Sequence, residues 1–165
     1  MTLDILEPTE KSNHIGLILV SSGSWNSRKS DIVEEEENRR QKDHWTQGLL
    51  KGGFTLFVVR HGSSPRYSVP EMTPDILRSV RFVRANAARF SINPDRIGIT
   101  SGSSGGHLAL MAATQGDDGN PDSKDPIAPV EIDESEVRRI RPESEACYPR
   151  GEGTVAGQAS WIRFP

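Results

Sequence analysis

Residues 96–111, RIGITSGSSGGHLALM, constrain the fold of this chain more than any other stretch. A short run with β-branched residues at Ile97, Ile99 and Thr100 enters a cluster of serine and glycine. An apolar segment rich in alanine and leucine follows directly. This order predicts a buried strand, a tight turn and a helix.

Ser103 lies at the tip of the predicted turn, and its neighbours Ser101, Gly102, Ser104 and Gly105 are all small. Small neighbours are needed because the incoming strand and the outgoing helix almost touch at so sharp a turn. Ser103 Oγ then projects above the carboxyl end of the strand, and the Ser104 N–H opens a helix N-terminus that suits a developing negative charge. The pattern predicts a nucleophile elbow.

The pentapeptide at 101–105 departs from the usual Gly-x-Ser-x-Gly at its first position, where Ser101 stands. Only a small residue is required there, so we interpret the serine as tolerated. A glycine-rich turn without any chemistry has the same local pattern, because motifs this short also match by chance. The pentapeptide alone leaves that alternative open.

Further elements are expected on either side of this unit. Residues 2–6 favour a short edge strand, and the apolar runs at 15–20 and 54–59 favour strands buried on both faces. Residues 31–51 favour a solvated helix. A second helix is expected to begin with Thr73 as N-cap and Pro74 at its first position, with an apolar stripe that continues to Phe90.

Apolar strands that alternate with amphipathic helices predict an α/β fold, with a mostly parallel sheet in a three-layer αβα arrangement and right-handed crossovers. The carboxyl ends of parallel strands meet at one edge of the sheet. We therefore expect the loop at residues 21–25, the loop that carries His61 and the Ser103 turn to line a single cleft.

Composition excludes several functional classes. A net charge of -3 argues against nucleic-acid binding, which favours a basic face. No apolar run approaches the roughly 20 residues that span a bilayer. Cys147 is the only cysteine, so neither an internal disulfide nor a cysteine-based metal site is expected. No metal or cofactor is predicted, and the acidic, weakly apolar first residues favour a cytoplasmic location.

The character of the chain changes near residue 115, where turn-forming residues begin and no hydrophobic period persists. We expect residues 1–126 to form the folded part and residues 127–165 to be poorly structured, in a sequence unlike that of the preceding part. With no further strand assigned, residues 97–100 are expected to form an exposed apolar edge, which invites self-association.

Taken in order, three segments resemble the α/β-hydrolase superfamily. They are SSGSW at 21–25, GGFTLFVVRHGSSPRYSVPEMTPDILRSVRFVR at 52–84 and NPDRIGITSGSSGGHLAL at 93–110. The resemblance covers about residues 2–125 and is to the esterase/lipase branch, which is also similar to the prolyl-oligopeptidase-type catalytic domain.

The resemblance implies a role for several residues. Ser103 matches the nucleophile, and the backbone N–H of Ser104 matches one donor of the oxyanion hole. Gly23 or Ser24 matches the second donor. The activity implied is hydrolysis of a small-molecule carboxylic ester, or alternatively a peptide, through an acyl-enzyme and without a cofactor.

One departure from the family concerns the general base. The family order is Ser, then Asp or Glu, then His, but the chain has four histidines and none beyond His107, four residues after Ser103. We interpret His107 as structural, and His61 is the single candidate for a substitute base. The chain is then expected to be a truncated hydrolase.

The sequence leaves two alternatives to a working hydrolase. One is a catalytically dead pseudoenzyme or fragment that binds at most a ligand or a partner. The other is a nucleotide-binding turn, which is disfavoured because neither Gly-x-Gly-x-x-Gly nor a phosphate-binding lysine is present.

Overall fold

The computed structural model describes residues 1–8, 10–27, 45–115, 120, 122, 124–125, 127 and 160–164. Its five-stranded sheet has the spatial order β1-β3-β2-β4-β5. The strands are β1 (Thr2–Leu6), β2 (Gly16–Val20), β3 (Thr55–Arg60), β4 (Ile97–Ser101) and β5 (Ser160–Phe164). The central strands β3, β2 and β4 run parallel, while β1 and β5 pair antiparallel at the two edges. The predicted α/β fold is confirmed.

Helices cover both faces of this sheet. They are α1 (Trp45–Lys51), α2 (Val69–Ala85) and α3 (Ser103–Ala113). One face packs Ile18 and Val20 against α2 and α3, in the larger of the two apolar clusters formed by the described residues. The opposite face packs Leu17 against Leu50 of α1. Successive residues of a strand point to opposite faces, so the all-apolar β2 supplies both sides of a three-layer αβα structure.

The connections explain why the helices lie on opposite faces. From β2 the chain passes through α1 to β3 on one side, and from β3 it returns through α2 to β4 on the other side of β2. Right-handed crossovers that run in opposite directions place their helices on opposite faces of the sheet. The strand order therefore reverses at β2, and open α/β sheets bind ligands beyond the carboxyl ends of the strands at such a point, here β2 and β4.

The start of α2 differs from the sequence-based expectation. The helix begins at Val69, with Ser68 as its N-cap, and Pro74 lies inside it. Ser68 and Glu71 form a capping box, in which the Ser68 N–H donates to the Glu71 carboxylate over 2.8 Å. Thr73 is an interior residue whose hydroxyl donates to the Val69 carbonyl. The capping box therefore defines the start of the helix one turn earlier than the Thr73-Pro74 pair indicates.

The apolar stripe of α2 is buried as predicted, but it does not belong to one continuous α-helix. The α-helix ends at Ala85, Asn86 caps it, and Ala87–Phe90 forms a 3₁₀ helix. Phe90 nevertheless reaches the core, where its ring lies 5.1 Å from that of Phe57. The Asn86 side-chain amide donates to the Phe82 carbonyl, which satisfies a terminal acceptor of the helix.

The expectation of an exposed edge at residues 97–100 is wrong. Strand β5 pairs antiparallel with β4 along its whole length, from Ile97 opposite Phe164 to Ser101 opposite Ser160. The strand lies in the segment for which we predict little structure, because its short WIRF pattern is not distinctive by itself. Pairing supplies the backbone hydrogen-bond partners that an edge strand lacks.

Two further predictions concern the helices. The helix expected over residues 31–51 is present as α1 at its end, and residues 31–44 lie outside the described residues. Within the described ranges, the helices are all too short or too polar to cross a membrane.

Candidate active site

Ser103 occupies the turn between β4 and α3 in an unusual backbone conformation. Its φ is 50°, in the left-handed region, while the preceding Gly102 is extended at φ -107°. A residue other than glycine in this region costs of order 1–3 kcal/mol, and such strain is retained where the surroundings determine it. The Ser103 side chain is exposed, at the carboxyl end of a fully buried strand.

Gly105 explains how closely the helix approaches the sheet behind Ser103. A Cβ at this position would lie 2.1 Å from Ser101 Oγ and 2.7 Å from the Val20 carbonyl oxygen. Both contacts are far inside van der Waals distance, so any larger residue would displace α3 from β2 and β4. Gly105 is therefore required for the close approach of α3 to the sheet behind Ser103.

Ser101 also forms a hydrogen bond to the neighbouring strand. Its buried hydroxyl donates a hydrogen bond of 2.5 Å to the Val20 carbonyl. The parallel pairing of β2 with β4 ends at Leu19 and Thr100. The Val20 carbonyl lies just beyond this last pair, where the Ser101 hydroxyl is its donor. This role of Ser101 was not predicted from the sequence. The departure from glycine at the first motif position was the signal that could have revealed it.

The loop after β2 is a tight turn. Gly23 and Asn26 exchange both backbone hydrogen bonds, at 2.8 and 2.9 Å, and the two residues between them have positive φ, 49° for Ser24 and 58° for Trp25. This geometry is that of a two-residue type I′ hairpin turn. The Gly23 N–H is thus used within the turn, while the Ser24 N–H has no acceptor among the described residues.

Two side-chain contacts join this loop to the first turns of α3. Ser22 Oγ lies 3.2 Å from Ser104 Oγ. The Trp25 indole N–H donates to His107 Nδ1 over 3.4 Å, and the two rings meet edge to face with centroids 6.1 Å apart. His107 therefore contacts the loop, and the structural role expected of it stays a prediction. Neither contact was predicted from the sequence.

The loop that carries His61 reaches the same edge of the sheet. The Ser64 N–H donates to the Trp25 carbonyl over 3.0 Å, and the Ser27 N–H donates to Ser63 Oγ over 2.9 Å. Asp75 of α2 accepts from the Gly62 N–H and ties this loop to the helix. The contacts thus bring the three predicted loops together beyond the carboxyl ends of β2, β3 and β4.

His61 itself is buried, with 5% of its surface exposed. Its Nδ1 lies 2.6 Å from the Gly62 carbonyl, which accepts from it, and its Nε2 is buried with no hydrogen-bond partner in the described part of the chain. Among the described residues, no histidine nitrogen hydrogen-bonds to Ser103. His44 lies outside them.

Ser103 is the first residue of α3, so the backbone N–H groups of the first turn of this helix follow it directly. Searched over the described residues, the chain contains no group of three or more His, Cys, Asp or Glu side chains that could hold a metal ion. The exposed Ser103 hydroxyl thus lies beside the start of α3, where backbone N–H groups favour negative charge.

Comparisons with known proteins identify relatives of this chain. The esterase LipQ of Mycobacterium tuberculosis is 36% identical over 70 residues, which is 42% of this chain and 17% of LipQ. The acetyl ester-xyloside bifunctional hydrolase of Caldicellulosiruptor lactoaceticus matches in structure with a TM-score of 0.60 and 26% identity, over 79% of this chain and 45% of that protein. A truncated carbohydrate esterase from gut microbiota matches with a TM-score of 0.57 and 30% identity, over 73% of this chain and 41% of its own length.

The chain thus spans less than half the length of these relatives. The model of one family, BD-FAE, matches this chain from residue 3 to residue 140. The fold of the chain agrees with this match. The chain belongs to the BD-FAE family, in the esterase/lipase branch of the α/β-hydrolase fold.

Proposed function

We propose that this chain carries the nucleophile of a serine hydrolase that acts on small-molecule carboxylic esters. The observation that carries the proposal is the conformation of Ser103, an exposed serine at φ 50° between a buried strand and a helix. Strain of this kind clusters at functional sites, where the surrounding packing maintains it. The relatives named above as esterases support the ester as substrate class, and a peptide is the alternative.

In the proposed reaction, Ser103 Oγ attacks the ester carbonyl and loses its proton to a base. The alcohol leaves with a proton, and water then cleaves the acyl-enzyme to release the acid and restore the hydroxyl. The charge that develops on the carbonyl oxygen needs donors in fixed positions, each worth about 10²–10³ in turnover. We assign these donors to the backbone N–H groups of Ser104 and Ser24. Gly23 is the weaker candidate, because its N–H is already donated to Asn26.

His61 is our candidate for the base within the described residues. Donation from Nδ1 to the Gly62 carbonyl leaves Nε2 as the nitrogen that can accept a proton. The substitution His61→Asn is the sharpest test, because the Asn amide can retain the donor to Gly62 while the second nitrogen is removed. If His61 is the base, labelling of Ser103 falls at least about a hundredfold.

A second candidate function is a binding role without catalysis. The observation that favours it is the lack of a hydrogen bond between any histidine and Ser103 Oγ in the described part of the chain. A serine hydrolase without its base loses on the order of 10⁶ in turnover, so a bound ester would then persist unhydrolysed.

Labelling with a fluorophosphonate probe separates the two candidates, with turnover of a short-chain nitrophenyl ester as a second readout. We expect labelling of the wild-type chain and none of Ser103→Ala. Ser68→Ala is the matched control, because Ser68 is also an exposed serine and its loss as N-cap costs about 1 kcal/mol. A chain that gives a folded circular dichroism spectrum but no labelling would favour the binding role.

A further inference from the structure

We propose that Trp25 is a positioning residue of this site, and that its contact with His107 holds the Ser24 amide in place as an oxyanion donor. The inference rests on the proposed function and deepens it. Its starting point is the hydrogen bond from the Trp25 indole N–H to His107 Nδ1 at 3.4 Å, with the rings edge to face at 88°.

The loop needs an external constraint. Ser24 and Trp25 both have positive φ, although neither is glycine or asparagine, the residues that favour such turns. Ser24 and Trp25 lie together between Gly23 and Asn26, whose two backbone hydrogen bonds close the turn. Because the ends of the turn are held, a change in the backbone of Trp25 must be matched by a change at Ser24. A residue that anchors Trp25 therefore controls where the Ser24 N–H points.

The anchor on α3 consists of two residues one helical turn apart. Ser104 and His107 are three positions apart and so share one face of the helix, and they contact Ser22 and Trp25 respectively. Ser104 is also the residue whose N–H we assign as the other oxyanion donor. The same helical turn thus carries one donor and constrains the loop that carries the second.

Burial alone does not account for the placement of Trp25. Its side chain is one of the exposed large hydrophobic residues, with 40% of its surface accessible. Since the ring is far from fully buried, its polar contact with His107 supplies a directional constraint on the side chain, while the Ser64 N–H holds the Trp25 backbone carbonyl. A variant that keeps an aromatic ring at residue 25 but lacks the indole N–H should therefore release the loop.

The contact can be tested by NMR without any activity measurement. The chain has three tryptophans, and Trp25→Phe identifies the indole N–H signal of Trp25 by its disappearance. We expect this signal to shift in His107→Leu and to stay near its wild-type position in His107→Asn, because Asn Oδ1 can replace the Nδ1 acceptor. His14→Asn, at an exposed histidine bonded instead to Ser91, is the matched control and should leave the signal unchanged.

The positioning role is tested by the rate of fluorophosphonate labelling at Ser103. We expect Trp25→Phe and His107→Leu to slow the maximal rate about tenfold, a part of the 10²–10³ lost with a whole donor, at little change in the half-saturating probe concentration. His107→Asn should recover most of the rate. A purely structural effect would favour Leu over Asn, since Leu is the better helix former.

Each outcome decides a different point. An indole signal that is unmoved in His107→Leu, or labelling of Trp25→Phe at the wild-type rate, would overturn the positioning role. A wild-type chain that is not labelled at Ser103 would overturn the proposed function and the positioning role together, while the indole signal would still show whether the contact forms.

Discussion

Ser101 Oγ donates a 2.5 Å hydrogen bond to the Val20 carbonyl and thereby joins the ends of β4 and β2 directly behind the Ser103 turn. The hydroxyl is buried, and Gly105 leaves the space that it occupies. Ser101, the first residue of the motif, therefore has a structural role in this chain, as the donor to Val20.

Ser101→Ala should lower the free energy of unfolding by about 1–3 kcal/mol, because the buried Val20 carbonyl loses its hydroxyl donor. The neighbouring Thr100 is the matched control. Its hydroxyl is buried without a partner among the described residues, so Thr100→Val should be neutral or stabilising. Urea unfolding of the two variants measures the difference, and equal losses of stability would contradict the assignment.

Gly105→Ala should lower the free energy of unfolding by about 1–3 kcal/mol, the usual cost of overpacking. The added methyl group would meet Ser101 Oγ and the Val20 carbonyl, so α3 must shift. Gly102→Ala is the control, since a Cβ at Gly102 has open space and its φ of -107° suits any residue. Its cost as an N-cap change should remain below about 1 kcal/mol. Thermal unfolding followed by circular dichroism ranks the two variants.

Ser103→Gly should raise the free energy of unfolding by about 1 kcal/mol, because glycine adopts the left-handed region without the strain of a Cβ. Ser103→Ala retains the Cβ at φ 50° and should stay near the wild-type value. Neither variant can be labelled at residue 103 if Ser103 is the nucleophile. Gain of stability in both, or in neither, would show that the strain is not local to this residue.

Glu71→Gln should make stability less dependent on acidic pH. Hydrogen bonds from the Ser68 side chain and backbone lower the pKa of Glu71 from its ordinary value of 4.5. A lowered carboxyl pKa contributes stability that is fully present above 4.5 and is lost as the pH falls through the folded value. Wild type should therefore exceed Glu71→Gln in its urea midpoint at pH 7, and the difference should shrink toward pH 3. A constant difference would contradict the linkage.

The strands and the turn were predictable because their signals are local. The apolar runs at β2, β3 and β4 are long enough to indicate buried strands, and the small residues around Ser103 indicate the bend by size alone. The start of α2 was misplaced because two start signals follow one another, and the reciprocal bonds of Ser68 and Glu71 decide between them. A capping box depends on side-chain geometry, which the order of residues indicates only in part.

The sequence by itself determined the α/β order of elements, the buried strands and the small residues that put Ser103 at the tip of a turn. Only the tertiary structure decided which partners those residues meet. It pairs β5 with β4, bonds Ser101 to Val20 and sets Trp25 against His107, 82 positions away. Hydrophobic periodicity reports which face of an element is buried, whereas such long-range contacts depend on how the strands and helices are arranged in space.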